Sequence, residues 1–356
     1  MSEEKNTNTI GLKIPPVIFG TSSLGNLYQS VAFDVKKEIV NQCIINSIGQ
    51  TVFDTAGKYG AGLALETLGE CLKDLNVEPG NVVISNKLGW FQTELLTEDP
   101  TFETGVWVDL KNDAVQRISY DGILACFEQG NQLLGKYEAR MVSVHDPDEY
   151  LNAALDDADK QNRYLDILNA YSALLDLKAQ GRVDSVGIGS KDWRVIERIS
   201  NDVKLDWVMI ANSLTVHSHP KSLLDFISRL QSAGVAVINS AVFNGGFLIG
   251  SDFYNYKKVN SNTTTGHDLY LWRYRFYALC RKYGIEPAQA CFDFGFNLPG
   301  VIAVALNTTK PEKIKTNMDM VSAKVPYEFW EAMQNAHLID LPLYLLARKK
   351  HESIDL

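Results

Sequence analysis

The chain has 356 residues, of which 46% are hydrophobic and 22% are charged, and its net charge at pH 7 is −9. This composition is typical of a globular protein, and the length is sufficient for a large buried core. The acidic balance excludes broad affinity for nucleic acid or for an anionic membrane, because both attract basic surfaces.

The cysteines and the first residues of the chain bear on its location. Five cysteines are dispersed, and none forms a CxxC pair, which is typical of reduced thiols in a cytosolic protein. Residues 1–13 are polar and lack the apolar stretch of a secretory signal. No apolar run is long enough to cross a bilayer. We therefore expect a cytoplasmic protein without a membrane partner, built as one domain over 1–356 with a flexible tail at 1–12.

Short apolar runs recur along the chain and predict eight β-strands. Each run is continuous and rich in Val and Ile rather than alternating, as is typical of parallel strands covered on both faces. In chain order the predicted strands are 15–20, 50–55, 81–87, 139–146, 182–190, 205–213, 234–242 and 300–307.

Helical patterns lie between these runs. The predicted helices are 34–48, 64–75, 163–181, 191–199, 219–234 and 287–297. Alternation of strands and helices predicts an α/β fold of the (β/α)8 (TIM) barrel type. The alternative is a doubly wound open sheet, which expects a GxGxxG turn after the first strand. The segment "FGTSSLGN" at 19–26 does not supply that turn.

Two connections are longer than a simple barrel needs. They cover 88–118 and 244–270, and both follow strands, which predicts long loops at the C-terminal face where barrels build their sites. The first contains Trp90 and Trp107. These side chains either anchor the loop or form a wall for a small organic substrate.

Four polar side chains follow three consecutive predicted strands. Asp54 ends the second strand and Tyr59 lies in the loop after it, while Lys87 ends the third strand and His145 the fourth. Each residue taken alone has an ordinary structural explanation, such as a cap, a packing contact or a surface charge. In a barrel, however, all four point into one mouth, and their chemistry is complementary.

That chemistry is proton transfer coupled to hydride transfer. A phenol has a pKa of about 10, and a nearby ammonium lowers it. A buried ammonium in turn needs a carboxylate partner. We therefore expect Asp54 to hold Lys87, Lys87 to tune Tyr59, and Tyr59 to move the proton of a carbonyl or alcohol oxygen that a neutral His145 orients. One His and no Cys is a poor ligand set, so no metal site is predicted.

At these residues the chain resembles the aldo-keto reductase family, whose tetrad is Asp, Tyr, Lys and His. The segments that carry the resemblance are "FDTAGKYG", "SNKLG" and "VHDPD". Within the family the chain is most similar to the branch of D-threo-aldose (L-fucose) 1-dehydrogenases, with L-galactose dehydrogenases and pyridoxal 4-dehydrogenases nearby. The segments "FETGVWVDL", "SYDGILACFEQ", "VHDPDEY" and "HLIDLPLYLL" resemble that branch.

The resemblance implies that NAD or NADP lies extended across the C-terminal rim. The positions that it implies for cofactor contacts are Ser190, Lys191, Asn212, Ser213, Phe243, Gly245, Gly246, Thr308, Thr309, Lys310, Lys313 and Asn317. Glycines at 245 and 246 suit close approach to phosphates, although a simple turn explains them equally well.

Several positions depart from the family pattern. Asn307 and Thr309 stand where Gly and Arg are common, and Lys313 replaces an arginine that is typical of NADP users. Lysine neutralises a phosphate but lacks the bidentate fork of arginine. Asn239 stands near the position of a tyrosine that often stacks under the nicotinamide. These changes leave the tetrad intact and bear on the choice of cofactor and on the affinity for it.

The resemblance implies an NAD(P)-dependent oxidoreductase that oxidises an aldose at its anomeric hydroxyl to a lactone. His145, Trp90 and Trp107 are its expected substrate-binding residues, and its partner is a small sugar or aldehyde. The alternatives are a reductase of small aldehydes or ketones, a non-catalytic barrel that binds nicotinamide nucleotides, and a lyase that forms a Schiff base through Lys87.

Overall fold

The computed structural model describes residues 14–340. The prediction of a flexible tail at 1–12 therefore lies outside the described residues, as does part of "HLIDLPLYLL". The strands in this part of the chain are β1 Val17–Gly20, β2 Thr51–Ala56, β3 Val82–Leu88, β4 Trp90–Glu94, β5 Asn112–Gln116, β6 Met141–His145, β7 Ser185–Ser190, β8 Trp207–Ala211, β9 Ala236–Ser240, β10 Phe253–Tyr254, β11 Lys257–Lys258 and β12 Val301–Leu306.

Helices connect the strands and cover the outside of the sheet. They are α1 Phe33–Asn46, α2 Leu63–Asp74, α3 Tyr120–Leu134, α4 Pro147–Asn152, α5 Asp157–Ala179, α6 Trp193–Asp202, α7 Lys221–Ser232, α8 Thr264–Tyr283, α9 Pro287–Asn297, α10 Glu312–Asp319 and α11 Tyr327–Asn335. Within residues 14–340, none of these helices combines the length and apolar character that a membrane span requires.

Eight parallel strands close into a barrel in the order β1-β12-β9-β8-β7-β6-β3-β2. All eight lie within the strands predicted from the sequence or within one residue of them, and the (β/α)8 prediction is confirmed. The open-sheet alternative is wrong, because β1 pairs with both β2 and β12 and leaves no edge.

The lower half of the barrel is filled by apolar side chains. Trp207 is the largest of them and donates from Nε1 to the Ser185 hydroxyl at 3.2 Å. It can lie there because Gly187 has no side chain: a Cβ at that position would be 2.1 Å from the Trp207 ring. The packed floor leaves the C-terminal end of the barrel as the place for polar groups.

Both long connections are partly ordered as secondary structure, which the sequence did not predict. Strands β4 and β5 form an antiparallel hairpin within 88–118, and β10 and β11 form a short one within 244–270. Helix α8 begins inside the second connection. Both connections meet the loop after β1, where Tyr28 donates its backbone N–H to Val106 and stacks on Phe253 at 6.3 Å. They therefore wall the mouth of the barrel.

Candidate active site

The barrel register places Asp54 and Lys87 side by side. Strands β2 and β3 pair so that Asp54 is opposite Ser85 and Ala56 is opposite Lys87. The Lys87 ammonium lies 2.5 Å from Asp54 Oδ2 and donates to the Thr55 carbonyl at 3.3 Å. Both charged side chains are only about 5% exposed, so they form a buried ion pair rather than a surface contact.

Tyr59 and His145 meet this pair at the mouth. The Lys87 Nζ atom lies 4.8 Å from the centroid of the Tyr59 ring. The rings of Tyr59 and His145 meet edge to face, with centroids 5.5 Å apart and an interplanar angle of 84°. The structure thus brings together all four residues of the predicted tetrad. Gly189 leaves room for them, since a Cβ there would lie 3.3 Å from Lys87 Cδ.

Burial raises the pKa of the Tyr59 phenol well above its ordinary value, and the carboxylates of Asp54 and Asp146 act in the same direction. The sequence led us to expect a lowered pKa from the neighbouring Lys87. The expectation fails because removal of the phenol from water disfavours the phenolate more than the nearby cations favour it. Tyr59 is therefore a protonated acid near neutral pH.

His145 is neutral, as expected from the sequence. Burial lowers the pKa of its imidazole well below the ordinary value, and the ammonium groups of Lys87 and Lys58 lower it further. Its Nδ1 atom is buried and has no hydrogen-bond partner among the described residues. The Nε2 atom lies 3.7 Å from Asp146 Oδ2. A neutral imidazole of this kind can orient a hydroxyl or a carbonyl oxygen.

The two predicted wall residues occupy different places. Trp107 is buried, and its ring lies 5.7 Å from that of Tyr59, so it borders the tetrad directly. Trp90 packs against Phe102, with centroids 5.5 Å apart, and its ring lies 5.4 Å from the Lys58 ammonium. Trp107 is thus placed to line a substrate pocket, whereas the contacts of Trp90 are those of a loop anchor.

Sequence reasoning missed a group of charges beside the tetrad. Lys58 is buried and lies 2.6 Å from Glu149, 2.7 Å from Glu103 and 3.7 Å from Asp146. The ammonium of Lys191 contacts Glu149 and lies 3.3 Å from Asp146. A lysine directly before Tyr59 was the one signal that could have drawn attention to this group.

Four predicted cofactor residues lie together beside the tetrad: Ser190, Lys191, Asn212 and Ser213. Ser190 is buried at the end of β7, and the Ser213 hydroxyl donates to the Lys191 carbonyl at 2.7 Å. Lys191, Asn212 and Ser213 line a cleft of about 500 Å³ that also contains Lys257 and Lys258.

The cleft suits a dinucleotide in the chemistry of its lining. Asn212 Oδ1 is buried and has no partner among the described residues, so a donor on a ligand could satisfy it. The lysines that line the cleft suit phosphate groups. Lys191 is already paired with carboxylates, which reduces the charge that it offers to an anion.

The glycine loop has a local structural explanation. Gly245 and Gly246 have φ values of +70° and +89°, and a Cβ on Gly245 would lie 2.9 Å from the Tyr256 backbone nitrogen. Phe243 packs at the edge of the main hydrophobic core. The contacts of these residues are thus accounted for by the fold of their own loop, and a role in phosphate binding stays a prediction.

The predicted cofactor residues between positions 308 and 317 lie around the start of α10. Thr308 accepts a hydrogen bond from the Lys310 backbone N–H at 3.1 Å, while Lys310 and Lys313 are exposed. Thr309 and Asn317 are half-buried. Asn307 accepts from the Ser23 hydroxyl at 2.8 Å, which joins this segment to the loop after β1. The segment follows β12 at the C-terminal rim, and none of these residues lines the Lys191 cleft.

Asn239 does not face the barrel mouth. Its amide nitrogen donates to the Leu214 carbonyl at 2.9 Å and to the Gly295 carbonyl on α9 at 3.2 Å. A stacking role under a nicotinamide is thus absent at this position, in agreement with the departure noted in the sequence. Tyr256 reaches the mouth from the second long connection, with its ring 5.9 Å from the Lys191 ammonium.

A closed (β/α)8 barrel with an Asp–Tyr–Lys–His group at its C-terminal mouth defines a class of proteins. Residues 16–337 match the aldo/keto reductase family, and the chain belongs to that family. Membership supports an oxidoreductase that uses a nicotinamide dinucleotide.

Curated relatives match almost the whole chain at low identity. Pyridoxal 4-dehydrogenase of Microbacterium luteolum is 26% identical over 95% of this chain and 98% of its own length. D-threo-aldose 1-dehydrogenase of a Pseudomonas species is 25% identical over 96% of this chain and 99% of its own length.

Solved structures show the same fold. The glycerol dehydrogenase of Gluconobacter oxydans superposes with a TM-score of 0.68 at 16% identity, covering 96% of this chain and 95% of that one. The holo form of an aldo-keto reductase of Bacillus halodurans gives a TM-score of 0.65 at 18% identity, covering 95% and 96%. These neighbours share the fold, while the match over residues 16–337 confirms the predicted family.

Proposed function

We propose that this protein is an NAD(P)-dependent oxidoreductase that oxidises the anomeric hydroxyl of an aldose to a lactone. The observation that carries the proposal is the buried Asp54–Lys87 ion pair, whose ammonium lies against the ring of Tyr59 beside a neutral His145. A curated relative named as an aldose 1-dehydrogenase supports the substrate class.

We infer that the cofactor binds in the cleft beside the tetrad. Lys191, Asn212 and Ser213 of the cleft and the neighbouring Ser190 would hold it, with the lysines at 257 and 258 near its phosphates. When bound, an oxidised nicotinamide supplies the acceptor for the hydride that leaves the anomeric carbon.

Tyr59 handles the proton in this scheme. As the anomeric C–H bond breaks and the carbon–oxygen double bond of the lactone forms, the hydroxyl proton passes to the Tyr59 oxygen. The ammonium of Lys87 stabilises the phenolate that must accept this proton, and Asp54 holds the ammonium in place. His145 orients the reacting oxygen, and Trp107 excludes water from one side of Tyr59.

A reaction in the opposite redox direction, reduction of a small aldehyde or ketone to an alcohol, is the second candidate. The raised pKa of Tyr59, caused first by burial, favours it. A protonated phenol is ready to donate to a carbonyl oxygen, whereas oxidation needs the phenolate. We therefore expect the oxidation rate to rise with pH and the reduction rate to stay constant across neutral pH.

A substrate panel tests the proposal. Purified protein is mixed with NAD or NADP and with a series of aldoses, pyridoxal and glycerol, and the absorbance of the reduced cofactor is followed. Reduction is followed with aldehydes and the reduced cofactor. Turnover of at least one aldose is expected. Dinucleotide binding without turnover in either direction would favour the non-catalytic barrel instead.

A further inference from the structure

Lys58 is a buried cation that the proposed chemistry does not use. Its side chain is 3% exposed, and its ammonium contacts Glu103 and Glu149 within 2.7 Å and Asp146 at 3.7 Å. Burying an unpaired ammonium costs several kcal/mol of desolvation free energy, so the three carboxylates are needed to keep Lys58 charged at this site.

These carboxylates come from two different walls of the barrel mouth. Glu103 belongs to the long connection 88–118. Asp146 and Glu149 lie on the turn and helix that follow β6, directly after His145. Glu103 is 45 residues from Lys58 and Glu149 is 91, so the ammonium joins distant parts of the chain.

Each wall presents one ring to Tyr59. Glu103 accepts a hydrogen bond from Trp107 Nε1 at 2.6 Å, and the Trp107 ring lies 5.7 Å from that of Tyr59. On the other side, His145 meets Tyr59 edge-on at 5.5 Å. Lys58 precedes Tyr59 in the chain, so a single dipeptide carries both the phenol and the cation that links its two neighbours.

Other contacts hold the connection to a different place. Backbone hydrogen bonds join Tyr28 to Val106 at 2.8 Å and Val108 to Asn26 at 3.3 Å. Both tie the segment to the loop after β1, and neither reaches the turn and helix that follow His145. Lys58 therefore supplies an attachment toward the His145 wall that these backbone contacts do not supply.

We propose that Lys58 is a positioning residue that fixes the Trp107 wall relative to Tyr59 and His145 and so sets the width of the substrate pocket. The role in the substrate pocket rests on the proposed function, whereas the attachment of the Trp107 wall by Lys58 does not. Burial acts to lower the pKa of Lys58, but the carboxylates of Asp146, Glu103 and Glu149 outweigh it and the pKa is raised. Lys58 stays charged across neutral pH.

Replacing the ammonium with an apolar group of similar length should make the segment that carries Glu103 and Trp107 more mobile. In Lys58→Met, Glu103 loses its ammonium partner while Asp146 and Glu149 keep that of Lys191, so the ionic link between the two walls is broken. In Lys58→Arg the charge remains, and most of the attachment should be retained. Glu103→Gln removes a single charge and retains an amide oxygen for Trp107, so it provides a milder variant should Lys58→Met fail to fold.

Hydrogen exchange measured by mass spectrometry tests the wall without reference to activity. Peptides covering 101–108 should exchange about tenfold faster or more in Lys58→Met and Glu103→Gln than in the wild type, because local opening becomes easier. Peptides from α1 should be unchanged. The matched control is Lys37→Met, which removes a half-buried lysine on α1 that lies 3.9 Å from Asp34 and 3.7 Å from Asp74 on α2. Unchanged exchange over 101–108 in the folded variants would overturn the proposal.

Steady-state kinetics test the effect on the pocket. For the substrate found in the panel, Lys58→Met should reduce kcat/KM on the order of 10²-fold, mainly through the substrate KM. The dinucleotide Kd should change much less, through the carboxylates that Lys58 shares with Lys191. Lys58→Arg should restore most of kcat/KM. Equal losses in substrate and dinucleotide binding would indicate general damage and contradict a positioning role. If the wild type turns nothing over, the proposed function fails, and the exchange result still decides whether Lys58 holds the wall.

Discussion

The ammonium of Lys87 lies 2.5 Å from the carboxylate of Asp54, and both side chains are buried inside the barrel. The same nitrogen faces the ring of Tyr59 at 4.8 Å. One cation thus serves two partners: it neutralises an acid that the barrel interior could not otherwise hold, and it stands beside the phenol that is proposed to move the proton.

Loss of Lys87 should therefore reduce stability as well as activity. Lys87→Met leaves Asp54 as an uncompensated buried charge, which we expect to cost about 3–5 kcal/mol in the free energy of unfolding. The double variant Asp54→Asn/Lys87→Met should recover much of this loss, because no lone charge remains. Urea unfolding of the three proteins measures it. A double variant no more stable than Lys87→Met would show that the pair does not act as a unit.

His145 should make the stability of the protein depend on pH. Burial, together with Lys87 and Lys58, lowers the pKa of His145 in the folded state, so the unfolded chain takes up a proton first as the pH falls. The stabilisation is present above about pH 6.5 and is lost below it, by roughly 1.4 kcal/mol per pH unit for one proton.

The variant His145→Gln isolates this contribution. His217 and His219 also have pKa values lowered by burial and remain in both proteins, so the difference between variant and wild type belongs to His145. We expect the free energy of unfolding to fall less steeply between pH 6.5 and 5 in the variant. Identical slopes in the two proteins would contradict a neutral, buried imidazole.

The barrel and the tetrad could be predicted because their signals are regular. Continuous Val and Ile runs indicate buried parallel strands, and the ends of such strands meet at one face. Asp54, Lys87 and His145 each end a run, so their meeting follows from topology alone.

Other elements carry weak or contrary local signals. Helix α3 was missed although Ser119 caps it by accepting from the Gly122 N–H at 3.0 Å. Glycines at 122 and 130 reduce its helical propensity. Tertiary packing requires a glycine at position 130, since a Cβ there would lie 2.5 Å from the Asn86 side chain. Strand β4, "WFQTE", lacks the Val and Ile of a barrel strand.

The electrostatics of the mouth depend on contacts that a sequence does not display. Lys58 finds its carboxylates 45 and 91 residues away. The direction of the pKa shift of Tyr59 depends on how far Trp107 and the long connections remove the phenol from water. Both are properties of packing rather than of spacing along the chain.

The two tryptophans of the first long connection should behave differently when truncated. Trp107→Leu removes a ring that borders Tyr59, and we expect the KM for the aldose to rise about tenfold, equivalent to about 1.4 kcal/mol of binding. Trp90→Leu should change the KM less, because its contacts are with Phe102 and Lys58. Steady-state kinetics on both variants compare them. A larger effect at Trp90 would reverse this assignment of the wall.

Lys313 should distinguish the two dinucleotides. It lies exposed in the first turn of α10, and no ion pair in the described part of the chain includes it. If it meets the additional phosphate of NADP, Lys313→Ala should weaken NADP about fivefold, as an exposed ionic contact of about 1 kcal/mol allows, and leave NAD unchanged. Fluorescence titration with both dinucleotides measures this. Equal changes for NAD and NADP would remove the assignment, and Lys315→Ala, whose lysine pairs with Asp319, is the matched control.

The most direct measurement of the central claim compares the wild type with Tyr59→Phe at saturating dinucleotide. The variant lacks only the phenol oxygen, so the barrel, the cleft and the Trp107 contact should be retained, and dinucleotide Kd should match the wild type. The rate of aldose oxidation is predicted to fall by about 10²–10⁴-fold, the usual contribution of a positioned acid or base. A Tyr59→Phe protein that oxidises its substrate at the wild-type rate would contradict proton transfer through Tyr59.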